Sequence, residues 1–364
     1  MSDHTRSDAA RLEPVTVLAT SVGNDGFPSV LQALKDAPDR DVVVVGVDAR
    51  REAAGLALSD VGAVVPLRSE PEALLTALQS LCRVHQVDVL LPLSTEDQEF
   101  FAAHRKPFLD SGIRVAVSDL ASLEVANDKL ALLDACRAAG IPCPRYHPVA
   151  SLEDLERGAE SVGFPDAPFV LKLNRGTGMS GVKVVHAAID PLVRLLDRSN
   201  LSVQYDAVAA ALASVSDPLP PMHVVEYLPG QEYSVDVLCR DGHVISSVVR
   251  ARMASLFGLA THGVVRYEAT ADSIARAVVK ALRLSFVANV QLRDDRDGVP
   301  RLMEVNPRIP GTIGLTVAAG VNMPYFMVKL ALGESLGSVA TAREGTEAVR
   351  YWSLAVIDGD DACG

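Results

Sequence analysis

A chain of 364 residues with 49% hydrophobic and 22% charged residues is too long for one simple core and too apolar for a disordered segment, so two or three subdomains are expected. The net charge of −12, with no basic run or stripe, argues against a nucleic-acid partner. A polar N-terminus, the lack of any apolar run of membrane-spanning length, and an odd five cysteines with no CxxC pair set the expectation of a cytoplasmic protein with reduced thiols and no membrane contact.

The first third alternates strands and helices. Residues 15–19 form an apolar strand, 31–34 are helical, and 42–47 form a second, buried strand. A helix over 74–81 precedes strands at 87–91 and 113–117, a pattern of βαβ units and a parallel sheet. The turn Ser21-Val22-Gly23-Asn24-Asp25-Gly26, with Asp48 closing the second strand, invites a dinucleotide-binding reading. It lacks the third glycine and the spacing of that fingerprint, and reads better as a tight βα turn.

In the middle third, Asn127-Asp128-Lys129 opens a helix running to Ala139 that Gly140-Ile141-Pro142 ends. The strand 168–173 carries Lys172 among apolar residues and runs into a loop holding Gly176, Gly178 and Gly181, followed by a strand at 183–185. Such a loop between antiparallel strands can offer backbone N–H groups to a polyphosphate. An alanine-rich helix over 205–215 and a proline-rich break lead to EYLPGQEYSVDV at 226–237.

Further on, the strand 286–292 and the strand 301–306 flank Asp297-Gly298, a hairpin signal. A two-residue turn pairs Arg296 with Val299, and counting back sets Gln291 opposite Glu304 and Asn289 opposite Asn306. Four oxygen-bearing side chains then share one face, with Val290, Leu292, Met303 and Val305 on the reverse. Carboxylate and amide oxygens suit Mg²⁺ with phosphate, and Arg308 follows closely with a planar fork that matches phosphate. Ahead of this hairpin, Arg250 and Arg252 share one strand face, either to grip a substrate carboxylate or γ-phosphate or as solvent-facing charges. His262 reads as a loop histidine, Asp236 as a functional carboxylate or an arginine's partner, residues 310–320 as the start of a helix, and 349–357 as a strand before an acidic, disordered end.

The order of Lys129, Lys172 with its glycine loop, EYLPGQEYSVDV, NVQ and MEVNPR resembles ATP-grasp ligases, most closely the branch similar to one half of the carbamoyl phosphate synthetase large subunit. The resemblance implies an α/β protein: a Rossmann-like pre-ATP-grasp domain over 1–119, then an ATP-grasp fold over 120–364, with a glycine-loop lid at about 145–225 and a metal and catalytic subdomain at about 226–335. It implies that Lys129 and Lys172 bind phosphates under a flap of Gly176, Gly178 and Gly181. Glu226 with the backbone of Tyr227 and Leu228 would form the adenine hinge, and Glu232 would take the ribose. Gln291, Glu304 and Asn306 would hold two Mg²⁺ ions, with Mn²⁺ as an alternative, and Arg308 would stabilise the transferring phosphoryl group. The implied activity is an ATP-dependent carboxylate–amine ligase forming an amide or peptide bond between small substrates, with amino acids as the expected class, through an acyl phosphate with release of ADP and phosphate. Its partners would be small carboxylates and amines, and a homodimer fits the pattern. A bicarbonate-using or carbamoyl-phosphate-type enzyme and a non-catalytic ATP-binding regulator are the alternatives.

Overall fold

The computed structural model describes residues 11–176, 181–196, 201–215, 218–256 and 258–356, side chains 193 and 194 excepted. Gly178 and the acidic end at 358–361 lie outside the described residues. The chain divides into two compact units: residues 1–118, 308–341 and 352–364 form the first, and 119–307 with 342–351 the second. Residues 308–341 thus group with the first unit, whereas the sequence reading runs the second domain unbroken to 364.

The first unit is built on a parallel sheet in the order β3-β2-β1-β4-β5, comprising β1 (Val15–Thr20), β2 (Val42–Asp48), β3 (Val61–Val64), β4 (Val89–Pro92) and β5 (Arg114–Val115). Its central strands are almost wholly buried, as a sheet covered on both faces by βαβ crossovers demands. The helix Pro71–Val84 buries Leu74, Leu78 and Cys82, a stripe at four-residue spacing. Helix Thr95–Ala103 starts where Ser94 accepts from the Asp97 backbone N–H, a side-chain cap that the sequence reading passed over. In the returning segment, helix Met323–Leu332 buries Tyr325, whose hydroxyl donates to Asp39 while Lys329 Nζ meets the other Asp39 oxygen at 2.8 Å.

The second unit holds two sheets. One has the order β6-β10-β7-β8-β9, from β6 (Tyr146–Val149), β7 (Phe169–Leu173), β8 (Val182–His186), β9 (Ser202–Gln204) and β10 (Met222–Glu226). The other has the order β15-β14-β11-β12-β13-β16, from β11 (Glu232–Arg240), β12 (His243–Leu256), β13 (Leu259–Val265), β14 (Phe286–Asp294), β15 (Pro300–Asn306) and β16 (Glu347–Val349). The helix Ala269–Leu282 packs Ile274, Ala275, Val278 and Val279 against Val235, Val237, Val290, Leu292, Leu302 and Val305. That apolar layer turns the opposite, polar face of the six-stranded sheet into the place where function can reside.

Two expectations change here. The strand expected at 349–357 is the shorter Glu347–Val349, paired with β13, and residues 350–356 are irregular. The β14–β15 turn is longer than two residues: Asp295 N–H donates to the Val299 carbonyl, its carboxylate accepts from the Asp297 and Val299 N–H groups, and Gly298 takes φ +74°. Leu292 therefore faces Leu302, and a bulge follows before Gln291 meets Glu304. Leu302, not Met303, fills the core, because the extra residue of the bulge shifts the alternation by one.

Candidate active site

One face of β11, β12, β14 and β15 collects the chemistry. Cross-strand pairs Asn289–Asn306, Gln291–Glu304, Ser234–Gln291, Asp236–Asn289, Ser234–Arg250 and Glu232–Arg252 fix the alignment. Asn306 Nδ2 donates to Glu304 Oε1 at 3.0 Å, and Gln291 Nε2 donates to Asn289 Oδ1 at 3.2 Å. Both amides spend their nitrogens on neighbours, which fixes the orientation of their carbonyl oxygens. One carboxylate with two amide oxygens is a donor set for a hard, water-retaining cation such as Mg²⁺ rather than a closed cage, so these residues fit that ion. Among the described residues no cluster of three or more His, Cys, Asp or Glu side chains forms, in keeping with a set built mainly from amides.

Beneath this set lies a buried network. Asp236 is fully inaccessible and accepts from Arg250 Nη2 at 2.6 Å and from Asn289 Nδ2 at 2.7 Å; Arg250 is 3% exposed. The solvent-facing reading of Arg250 therefore fails, and Asp236 is the arginine's partner. Burial of this pair demands such hydrogen bonds, since an isolated charge there would be costly. Arg252 is equally engaged: Nη1 binds Glu232 and Nη2 donates to the Gly258 carbonyl at 2.6 Å. Neither arginine of β12 is a loosely held surface charge, and Glu232 carries a guanidinium on one oxygen.

The lysines come from the other sheet and from a helix of the same unit. Lys172 on β7 stands opposite His223 on β10 and Val182 on β8. Burial pushes its pKa down, the nearby Glu304 carboxylate pulls it back up, and Lys129 depresses it again, with Glu232 and Arg293 in the same field. Lys172 and Glu304, from two sheets and 132 residues apart in sequence, thus share one electrostatic environment. Lys129, first residue of the helix Lys129–Ala138 that Asp128 caps, donates through Nζ to the Gly176 carbonyl at 2.8 Å. Lys129 therefore holds the start of the glycine loop. Gly181 ends that loop at φ +70°, and a Cβ there would stand 2.5 Å from Leu173 side-chain carbons, so only glycine fits.

Sequence reasoning missed two members. His223 is buried between these lysines, its Nδ1 2.9 Å from Asn174 Oδ1, and burial followed by Lys172 and Lys129 pulls its pKa down to about 4. Arg293, two residues past Gln291 on the same face, donates through Nε to the Gly230 carbonyl at 3.1 Å. Period-two counting from Gln291 could have found Arg293; nothing local marks His223.

At the hinge, the Glu226 backbone N–H donates to the Arg145 carbonyl at 2.9 Å, and its carboxylate accepts from Arg145 N–H and Nη2. Burial raises the Glu226 pKa, but the Arg145 bonds outweigh it and hold the carboxyl below its ordinary value. Leu228 is buried and Tyr227 half-buried. Arg308 belongs to the first unit, where Nε donates to Thr95 Oγ1 and Nη1 to the Ile309 carbonyl, both at 3.2 Å. His262 lies on β13 and pairs with Glu347. Burial pushes the thiols of Cys82, Cys136 and Cys239 up to about 12, which makes them poor nucleophiles at neutral pH. Cys363 lies outside the described residues.

Residues 218–353 match a family described as ATP-grasp in the biosynthetic pathway with Ter operon. The carbamoyl phosphate synthase large chain of Thermomicrobium roseum is 28% identical over 238 residues, covering 62% of this chain and 20% of that protein, so the chain spans about a fifth of its length. Among solved structures, a biotin carboxylase complex from Campylobacter jejuni is similar at TM-score 0.66 and 17% identity, over 91% of this chain and 74% of that one. An L-amino acid ligase from Bacillus licheniformis matches at 0.63 and 17%, over 92% and 78%. An N5-carboxyaminoimidazole synthetase from Staphylococcus aureus complexed with ADP matches at 0.64 and 13%, over 90% and 80%. A parallel sheet followed by two mainly antiparallel sheets, the ordered lysine, hinge and hairpin segments, and these likenesses lead to one conclusion: the chain shares the fold of these ligase and carboxylase structures, and its residues 218–353 are similar to an ATP-grasp family.

Proposed function

We propose that the protein is an ADP-forming carboxylate–amine ligase that joins small substrates, with amino acids as the favoured class. The observation that carries this reading is that Glu304 and Lys129 both act on Lys172, two cations and a metal-type carboxylate within one electrostatic field of the second unit. Such a group suits a polyphosphate and its divalent ion and has no other evident use.

Gln291, Glu304 and Asn306 would hold Mg²⁺, which when bound neutralises phosphate charge and orients the transferring group. Lys172 and Lys129 would offset the remaining charge, and the Lys129 bond to Gly176 would hold the glycine loop beside the phosphates. Arg145 orients Glu226 so that the hinge peptide edge can meet a base. Glu232, held by Arg252, would accept from ribose hydroxyls through its remaining lone pairs. Arg308 enters through the resemblance alone, as the guanidinium for the transferring phosphoryl group. Phosphorylation of a carboxylate gives the poor electrophile a good leaving group, and an amine then displaces phosphate to form an amide. No side-chain nucleophile is required, which agrees with the buried, high-pKa thiols. The amino-acid class is favoured because the Bacillus licheniformis structure of the same fold is an L-amino acid ligase.

The test is turnover of Mg²⁺-ATP against pooled amino acids and small carboxylates, with ADP resolved from AMP and products weighed by mass spectrometry. Pool-dependent ADP with a product of two substrates less one water supports the proposal. AMP formation, or ADP formed only with bicarbonate, contradicts it.

A further inference from the structure

The turn after β1 carries more than a tight connection. Ser21 sits at φ +54°, a left-handed backbone conformation that a non-glycine residue adopts only when its surroundings impose it. The cause is visible: its hydroxyl and that of Thr20 both donate to Asp97 Oδ2 at 2.6 Å, while Asp97 Oδ1 takes Arg68 Nη1 at 2.6 Å. Asp48 is similarly filled, accepting from Gly23 N–H at 2.8 Å and from Arg50 N–H at 3.0 Å. Both carboxylates are thus engaged within the protein.

These loops enclose a cavity of about 380 Å³ at the carboxyl ends of β1 to β4, wholly within the first unit. The sheet order β3-β2-β1-β4-β5 reverses its winding between β1 and β4, the position where open parallel sheets take ligands. Its lining is mixed. Val47, Val65, Leu67, Leu74, Leu78 and Phe101 are its apolar members. On the polar side, Arg50 and Arg68 are each anchored by a buried carboxylate and keep their other guanidinium N–H groups for a ligand. Glu96, also lining the cavity, makes no hydrogen bond or ion pair among the described residues.

Counted together, Arg50 and Arg68 face Asp48, Asp97 and Glu96, so the lining is not a basic pocket for a polyanion. Since Asp48 and Asp97 are spent internally, what remains on offer is two guanidinium forks and one carboxylate. We propose that this cavity binds a small zwitterion, a free α-amino acid, with its carboxylate on Arg50 and Arg68, its ammonium towards Glu96 and its side chain against the apolar wall. Bidentate guanidinium–carboxylate recognition and an opposed carboxylate supply the two-ended selectivity that a neutral or purely anionic ligand would not use. The inference does not rest on the nucleotide reading, and it gives the proposed ligase a second, nucleotide-free amino-acid site.

The test is calorimetric titration of the full chain, without nucleotide, with free apolar amino acids, their N-acetyl derivatives, their carboxamides and inorganic phosphate. Saturable binding of a free amino acid is expected, with about a tenfold or greater loss on acetylation, on amidation, and in Arg50→Gln and Glu96→Gln. Both replaced side chains reach solvent, and Arg50→Gln leaves Asp48 its two backbone N–H donors, whereas Arg68→Gln would take the shorter ion pair from Asp97. Absence of amino-acid binding, equal binding of the N-acetyl form, or tighter binding of phosphate overturns the assignment. Glu304→Gln separates the two readings: unchanged amino-acid binding with lost ATP turnover supports the cavity as a site of its own, and joint loss refutes it.

Discussion

Gln291 stands opposite Glu304 although the turn that joins their strands is one residue longer than the sequence suggests, because a bulge past Leu302 restores the register. The hairpin thus delivers a carboxylate and two amides to one face while Leu302 and Val305 stay in the core. Bulges of this kind re-aim side chains near functional sites. Deleting Met303 removes the bulge and leaves Leu302 opposite Leu292 and Glu304 opposite Gln291 in a regular ladder, so the expected outcome is retained ADP formation. Loss of turnover with the fold intact would show that the bulge itself sets the aim of Glu304.

Arg250 and Asp236 form a buried pair, and this sets a prediction of stability before kinetics. Arg250→Ala leaves Asp236 without its guanidinium in an inaccessible position. The expected cost is about 3–5 kcal/mol in urea unfolding. Arg250→Met combined with Asp236→Leu should recover part of that loss, since the uncompensated charge goes too. A neutral single variant would contradict the pairing.

His223 predicts an acid limb. Burial and the two lysines hold its folded pKa near about 4, below the ordinary 6.5, so the unfolded chain takes the proton first. Stability is fully present above about pH 6.5 and falls as the pH drops towards 4, by up to about 3 kcal/mol from this residue. Lys172, Lys129 and Asp128 are the charged groups that face it. Unfolding free energies at neutral and mildly acidic pH should differ less in His223→Gln than in the wild type. An equal pH slope in both would assign the acid sensitivity elsewhere.

Lys172 predicts a split between substrates. Its ammonium is depressed by burial and supported by Glu304, so Lys172→Ala removes a cation that only a phosphate-bearing ligand would use. KM for ATP should rise about tenfold or more while KM for the amine substrate changes little. The reverse pattern would move Lys172 to the acceptor side.

The legible parts of the fold and site were those written in short-range periodicity. The apolar strands β1 and β2, the Asp128-capped helix and the pairing of Gln291 with Glu304 all follow from alternation, caps and turn residues. The hairpin register was right for a partly wrong reason, since a missed turn residue and a missed bulge cancel. What stayed hidden depends on long-range burial. Nothing around His223 announces that β7 will lie beside it, and Arg250 looks like a surface charge until Asp236 is placed 14 residues away on the neighbouring strand. The return of residues 308–341 to the first unit is likewise invisible, because the helix Met323–Leu332 is apolar on a pattern that fits either unit.

The central claim is that the polar face bearing Glu304 is a metal–nucleotide site, and calorimetric titration of Mg²⁺-ATP into the wild type and Glu304→Gln tests it most directly. The account predicts saturable Mg²⁺-dependent binding to the wild type, weakened about tenfold or more by the substitution with the melting temperature unchanged. Equal affinity in the two proteins, or equal affinity with and without Mg²⁺, would contradict it.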